Sequence, residues 1–192
     1  MNLIQKIFTK EKLKEAWPLF LIALVIIVLD QWSKIYVSTN FRIHESVQVI
    51  PGFLKFTYVH NKGAAFSFGS MFNDSVRLVL FKILPIIIGA VLVRLIFSDK
   101  ESKLLKYAYA LILGGGTGNV IDRIRLDYVV DFISVYHTGF ELASFKFDPW
   151  YFAIFNIADS AVTIAAGILI LDFILHRHKE KMESQSSQTE IN

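Results

Sequence analysis

Two aspartates in the second half of the chain have no cation close enough in sequence to neutralise them. Asp131 lies in Tyr128-Val129-Val130-Asp131-Phe132-Ile133, and Asp159 in Phe155-Asn156-Ile157-Ala158-Asp159-Ser160-Ala161-Val162. Neither has Lys or Arg within four positions. A carboxylate in apolar surroundings has its pKa raised, and two close carboxylates tend to share one proton. Such a pair can hydrolyse an amide: one member takes a proton from water, and the other, protonated, polarises the scissile carbonyl. The residues alone leave open a plainer alternative, two interfacial aspartates that touch only water.

Other polar residues interrupt apolar runs. Asp30 and Lys34 are spaced i,i+4 with the acid first, the favourable order for an ion pair on a helix. Asp122 adjoins Arg123, with Arg125 near, so local neutralisation and a structural or substrate-orienting role are expected. Asn119 and Asn156 can bond helix to helix. Gly114, Gly115, Gly116 and Gly118 permit close helix packing; a phosphate loop is a weak reading, since no Gly-Lys-Ser/Thr follows. Lys82 can snorkel or pair within the bundle. Asp172 is expected at an interface. His176 and His178 are i,i+2, do not share a helix face, and read as solvated, so no metal site is expected.

These residues must be positioned by membrane-spanning helices. Of the 192 residues 54% are hydrophobic, and they are concentrated in runs near the roughly 20 residues that a span requires. Spans are expected at about 17–37, 76–97, 104–121 and 152–175, the second containing Lys82 and Pro85. One membrane domain over 1–192 follows, with 183–192 as a disordered tail. A cleaved leader is not expected, because the first apolar run ends in Asp30-Gln31-Trp32-Ser33-Lys34 rather than in small residues. Lys6, Lys10, Lys12 and Lys14 flank the first span; Arg94, Lys100, Lys103 and Lys106 surround the connection between spans two and three; Arg177, Lys179 and Lys181 follow the fourth. With four spans these flanks share one side, the cytoplasmic one, and the segments 38–75 and 124–151 face outward. Asp30, Lys34, Asn119, Asp122, Arg123, Asn156 and Asp159 then all lie near outer ends of spans, with Asn61 and Asp131 in the outer segments. Val47, Val49 and Ile50 before Pro51-Gly52, then Leu54, Phe56 and Tyr58, predict a small surface hairpin. The fold class is an all-α membrane protein with four transmembrane helices and a small extracytoplasmic β-rich element. With no Cys, disulfides and thiolate chemistry are excluded.

Five segments in order carry a resemblance: Asp30-Gln31-Trp32-Ser33-Lys34; Asn61-Lys62-Gly63-Ala64-Ala65-Phe66-Ser67; GGGTGNVIDR ending at Arg123; VVDF around Asp131; and FNIAD ending at Asp159. Together they resemble the bacterial lipoprotein signal peptidases, signal peptidase II. The resemblance implies a metal-independent, cofactor-free aspartic endopeptidase of the bacterial cytoplasmic (inner) membrane. It would cut prolipoproteins just before a diacylglyceryl-modified cysteine. Carried onto this chain, Asp131 and Asp159 are the catalytic pair. Asn61, Asn119, Arg123 and Asn156 orient the substrate, and Asp30, Lys34 and Asp122 support the polar site. The segment 38–60 would be a surface cradle, and 136–150 a mobile flap. Partners would be the lipid-modified precursors and membrane lipids, with the enzyme a monomer. The chain departs from the family's usual pattern at Gly116, where Ala is common, at Val162, where Ile is common, and in a long stretch between the two aspartates.

Two other readings compete. A transporter would place its carboxylates near the midplane and show inverted repeats, neither of which is visible here. A non-catalytic scaffold would not need two unpaired aspartates. Nucleic-acid binding has no support, because the basic residues are spread over three membrane flanks.

Overall fold

A computed structural model of the chain describes residues 9–63, 72–142 and 145–189, with the backbone alone for 140–142, 145–147 and 178–189. Ala64 to Ser67 of the second segment above, and the last three residues of the expected tail, lie outside the described residues. Helix α1 is Lys10–Asn40, opened by Thr9, whose hydroxyl accepts from the Lys12 amide. Strands β1 (Ser46–Ile50) and β2 (Leu54–Asn61) follow. Next come α2 (Asp74–Leu78), a π-helical turn (Val79–Ile83) and α3 (Leu84–Ile96), which form one rod. Helix α4 is Lys103–Leu126, capped by Ser102 and closed by Asp127 in the left-handed conformation (φ 62°). Strands β3 (Val129–His137), β4 (Phe140–Leu142), β5 (Phe145–Phe147) and β6 (Trp150–Tyr151) precede α5 (Ile157–Thr189).

The apolar runs became helices with bare faces. Leu24 and Val28 on α1, Ile86 and Ile87 on α3, and Ile170 and Phe173 on α5 are each more than half exposed. A water-soluble monomer does not leave such a belt uncovered, whereas lipid matches it. Two stretches, Asp74–Ile96 (mean hydropathy 2.5) and Ile157–Arg177 (mean hydropathy 2.0), are long and apolar enough to cross a membrane by length and composition. Helix α4 is central and packs on α1, α3 and α5.

Glycines make that contact close. A Cβ on Gly114 would meet the Ala23 carbonyl of α1 at 2.8 Å, and one on Gly115 would collide with the Ala158 carbonyl of α5. A Cβ on Gly118 would meet the Asp30 carboxylate at 2.5 Å, while one on Gly116 would meet nothing within 4 Å. The cluster therefore brings two neighbouring helices against α4, and Gly116 takes no part in it.

Two small apolar cores bracket the bundle. Ala16, Leu19, Ile96, Phe97 and Ala110 form one; Val37, Tyr58, Val130 and Phe132 form the other, beneath the sheet. The expected hairpin is present, turning at Gly52 (φ 75°). It is part of a larger antiparallel sheet of order β1-β2-β3-β6, so both segments between helices supply strands. The β4–β5 pair within 136–150 forms a separate hairpin.

Both ends of the last helix differ from expectation. The last helix starts at Ile157, not near 152, because residues 152–155 run beside β3, with Phe155 exchanging hydrogen bonds with Ile133. It then continues to Thr189 through most of the segment expected to be a disordered tail. Lys179, Glu180, Lys181 and Met182 just before that segment are good helix formers, and the helix they continue propagates from a nucleus already made into the Ser/Gln-rich end.

The glycine geometry has a measurable consequence. Gly115→Ala should cost about 1–3 kcal/mol through overpacking against α5. Gly116→Ala should be neutral or stabilising by up to about 1 kcal/mol through helix propensity. Thermal unfolding of the two purified variants beside the parent checks this ordering, and equal behaviour would contradict it.

Candidate active site

The polar residues converge at the end of the bundle under the sheet. Strand register places Asp131. Val59 pairs opposite Asp131, after an irregularity between Phe56 and Val59, so Asn61, two residues on, shares its face. The Asn61 amide donates to Asp131 Oδ2 at 2.8 Å. The other oxygen, Oδ1, accepts from the Asn156 side chain at 2.7 Å.

A reciprocal cap at the start of α5 places Asp159. The Asp159 N–H donates to Asn156 Oδ1 at 2.9 Å, and the Asn156 N–H donates to Asp159 Oδ2 at 3.2 Å. This is a capping box with Asn and Asp in the two roles. Asp159 Oδ1 accepts from Asn119 of α4 at 2.8 Å. Asn156 therefore touches both carboxylates, one through its backbone and one through its side chain. It is fully buried; Asp131 is 2% exposed and Asp159 is half-buried.

Burial is the main cause that pushes the Asp131 carboxyl up to about 7. The Asn61 hydrogen bond opposes it, the charge of Asp159 adds to it, and Asn156 and Lys34 oppose it. The carboxyl thus holds its proton well above the usual carboxylate range.

Behind the pair sits a buried ion cluster. Lys34 Nζ lies 2.8 Å from Asp30 Oδ2 and 3.1 Å from Asp122 Oδ2, and donates to Asn119 Oδ1 at 2.9 Å. Asp30 Oδ1 accepts from the Ala158 N–H at 2.9 Å, and Asp122 Oδ2 from the Val130 N–H at 3.0 Å. The cation that pairs with Asp122 is Lys34, not Arg123, because adjacent helical residues do not face one another, nor Arg125, which is exposed while Asp122 is buried. The Asp30–Lys34 pair expected from spacing is present, and Lys34 also stands one hydrogen bond from the amide that holds Asp159.

Arg123 is half-buried and forms no salt bridge among the described residues. Its guanidinium lies over the Phe81 ring, 5.3 Å from the centroid, within electrostatic reach of Asp159, Asp131 and Asp122. It lines a cavity of about 410 Å³ with Asn61, Lys62, Arg77, Phe81 and Lys82 among its walls.

The structure thus brings Asn61, Asn119, Asp131, Asn156 and Asp159 into one hydrogen-bonded set, joined through Asn119 to Asp30, Lys34 and Asp122, with Arg123 beside it. Two participants escaped sequence reasoning. Gln31 donates to Asp122 at 3.0 Å and to the Gly118 carbonyl at 3.1 Å. A polar residue beside a buried aspartate needs partners, and that signal was available. Phe81 gave none, since one Phe in an apolar helix looks like another. Asp172 sits at the opposite end and accepts from Ser102 at 2.7 Å, while Lys82 pairs with Asp127 at 2.7 Å.

Two carboxylates held by amides, one of them with its pKa raised by burial, can activate water against a peptide bond. Comparisons with known proteins point the same way. A family model described as Signal peptidase (SPase) II matches residues 22–175. A lipoprotein signal peptidase of Neisseria gonorrhoeae is 41% identical over 162 residues, covering 84% of this chain and 92% of that protein. Another, from Pasteurella multocida, is 35% identical and covers 91% of this chain and 99% of that protein. A solved bacterial membrane enzyme superposes with a TM-score of 0.66 at 34% identity, over 82% of this chain and 87% of that one. The matched region contains every residue of the polar network, and the chain belongs to the signal peptidase II family.

Proposed function

We propose that this chain removes the signal peptide from diacylglyceryl-modified prolipoproteins as an aspartic endopeptidase, cutting before the lipidated cysteine. Removal of prolipoprotein signal peptides follows from the family and its relatives. The aspartic mechanism rests chiefly on one observation: Asn156 bonds Asp131 and Asp159 at once, so two carboxylates from different elements share one buried frame. The more exposed Asp159 takes a proton from water as the oxygen attacks the scissile carbonyl carbon. The buried Asp131 carries the shared proton and donates it to the carbonyl oxygen. Collapse of the tetrahedral intermediate breaks the C–N bond as the proton on Asp159 passes to the leaving cysteine nitrogen and a hydroxyl proton of the intermediate returns to Asp131, which restores the starting pair. Asn61, Asn119 and Asn156 hold the carboxylates and, with Arg123, line the backbone of the bound peptide. No metal or cofactor enters these steps.

The same reading sets four spans, with α1 and α4 joining the two most apolar stretches. Lys12 of α1 contacts Asp99 in the α3–α4 connection at 2.5 Å, and Ser102 contacts Asp172 of α5. The basic flanks of three helices therefore lie together at the end opposite the polar site. That supports cytoplasmic termini and a site at the outer leaflet, where a diacylglyceryl anchor presents its peptide bond. One chain supplies the whole site, which supports a monomer.

Four outcomes follow from the reading. Asp131→Asn and Asp159→Asn should each abolish cleavage of a lipidated precursor in a gel-shift assay with folded protein. The double variant should be no worse than either single one, and Asp172→Asn should retain activity. Substantial turnover by either single variant would reject the dyad. A reporter active only outside the cytoplasm should give signal when fused at residue 140 and none after residue 181; the reverse would reject the topology.

The pH dependence has a defined sign. The folded-state pKa of Asp131 is raised, so its proton contributes stability at acid pH that is lost as pH climbs towards about 7. The stability gap between Asp131→Asn and the parent should therefore shift in favour of the variant from pH 4 to pH 8, measured by thermal unfolding. Parent activity should fall on the alkaline side as the pair loses its shared proton.

A further inference from the structure

We infer that Phe81 is the positioning residue for Arg123: its ring holds the guanidinium beside the two aspartates while keeping it from pairing with either. The inference rests on the dyad proposed above and extends it to a residue outside the polar set.

The local chain chemistry explains why Phe81 is there. Pro85 has no N–H to donate to the carbonyl four residues back, which is that of Phe81, and its ring crowds that carbonyl. The helix widens instead: the Leu84 N–H reaches back five residues to the Val79 carbonyl. This π-helical turn, Val79–Ile83, offsets the side chains that follow its start. It turns Phe81 to the end of α4 and Lys82 to Asp127.

Arg123 needs such a holder. Next to two carboxylates, an unrestrained guanidinium would form a bidentate pair with one of them. An arginine paired with Asp159 or Asp131 would stabilise the ionised form and strip the pair of its shared proton. A ring face attracts the cation without adding negative charge. The guanidinium then stays open to the cavity shared with Asn61, where a peptide carbonyl can reach it.

Other charges face the same space. Asp74, Arg77 and Lys82 come from the α2–α3 rod, Lys62 follows β2, and Asp127 closes α4. Arg77 and Lys82 are occupied by Asp74 at 3.7 Å and Asp127 at 2.7 Å. On the far side of the aspartates, Lys34 is held between Asp30 and Asp122. Lys62 is exposed and outside any salt bridge among the described residues, and it is unchanged by the substitutions below. Arg123 is therefore the cation whose release the test detects.

The test compares Phe81→Leu and Phe81→Met, which keep apolar bulk without a ring, with Phe81→Tyr, which keeps the ring. Full-length enzyme in detergent or vesicles is assayed on a lipidated precursor across pH. The non-aromatic variants should raise KM about five-fold. They should also move the alkaline limb of the pH profile down by about half a unit to one unit, as the freed guanidinium favours the ionised pair. Phe81→Tyr should restore both quantities. If folded Phe81→Leu and Phe81→Met keep the parent KM and alkaline limb, and lose only thermal stability, Phe81 is a packing residue and the inference is wrong. If Phe81→Tyr behaves like Phe81→Leu, the ring face is not the cause and the inference is again wrong. Turnover by Asp131→Asn or Asp159→Asn would instead remove the dyad itself, and that result is independent of the Phe81 series.

Discussion

The interaction on which the rest depends is the buried Lys34 between Asp30 and Asp122. Each carboxylate uses one oxygen on the ammonium and also serves the backbone of another element. Asp30 takes the N–H of Ala158 at the first turn of α5, and Asp122 takes the N–H of Val130 at the start of β3. One cation therefore ties α1 to α4 directly, and α5 and β3 to both. Buried ion pairs contribute little net stability, but removing one partner typically costs about 3–5 kcal/mol, since charge is left unpaired. Here the larger consequence is positional. Asp131 follows Val130 and Asp159 follows Ala158, so the two backbone amides that the cluster holds are the immediate neighbours of the two carboxylates.

That coupling explains why glycine is needed where it occurs. The Asp30 carboxylate approaches Gly118 so closely that any side chain would displace it, and Gly115 lets the Ala158 carbonyl lie on α4. Close helix contact and the ion cluster are two aspects of one constraint. Without the contact, Asp30 would not reach the α5 backbone.

The site itself is built against stability. Asp131 is almost wholly buried, and its proton is retained to near neutral pH. A neutral isostere would be easier to bury. The amides of Asn61, Asn119 and Asn156 satisfy the carboxylates without supplying a positive charge. Arg123 lies against an aromatic ring and in no ion pair among the described residues. Neither arrangement adds a paired cation that would favour the ionised form of Asp131.

Much of this was legible in the sequence, and what was legible is local. Apolar run length set the helices, i,i+4 spacing marked Asp30 with Lys34, and Pro51-Gly52 marked the hairpin. The absence of nearby cations singled out Asp131 and Asp159. The gathering of polar groups at one end followed from counting spans. What the tertiary structure decided concerns partners across elements. Asp122 pairs with Lys34 on another helix rather than with its neighbour Arg123, because successive helical side chains diverge. Residues 152–155, apolar enough to read as helix, bond along β3, and α5 waits for the Asn156 cap. The Phe56–Val59 irregularity sets Asn61 beside Asp131, and a proline-widened turn aims Phe81 at Arg123. Hydropathy and spacing specify which residues share a helix and its faces. Register and interhelical distance specify which side chains meet, and those depend on packing the whole chain at once.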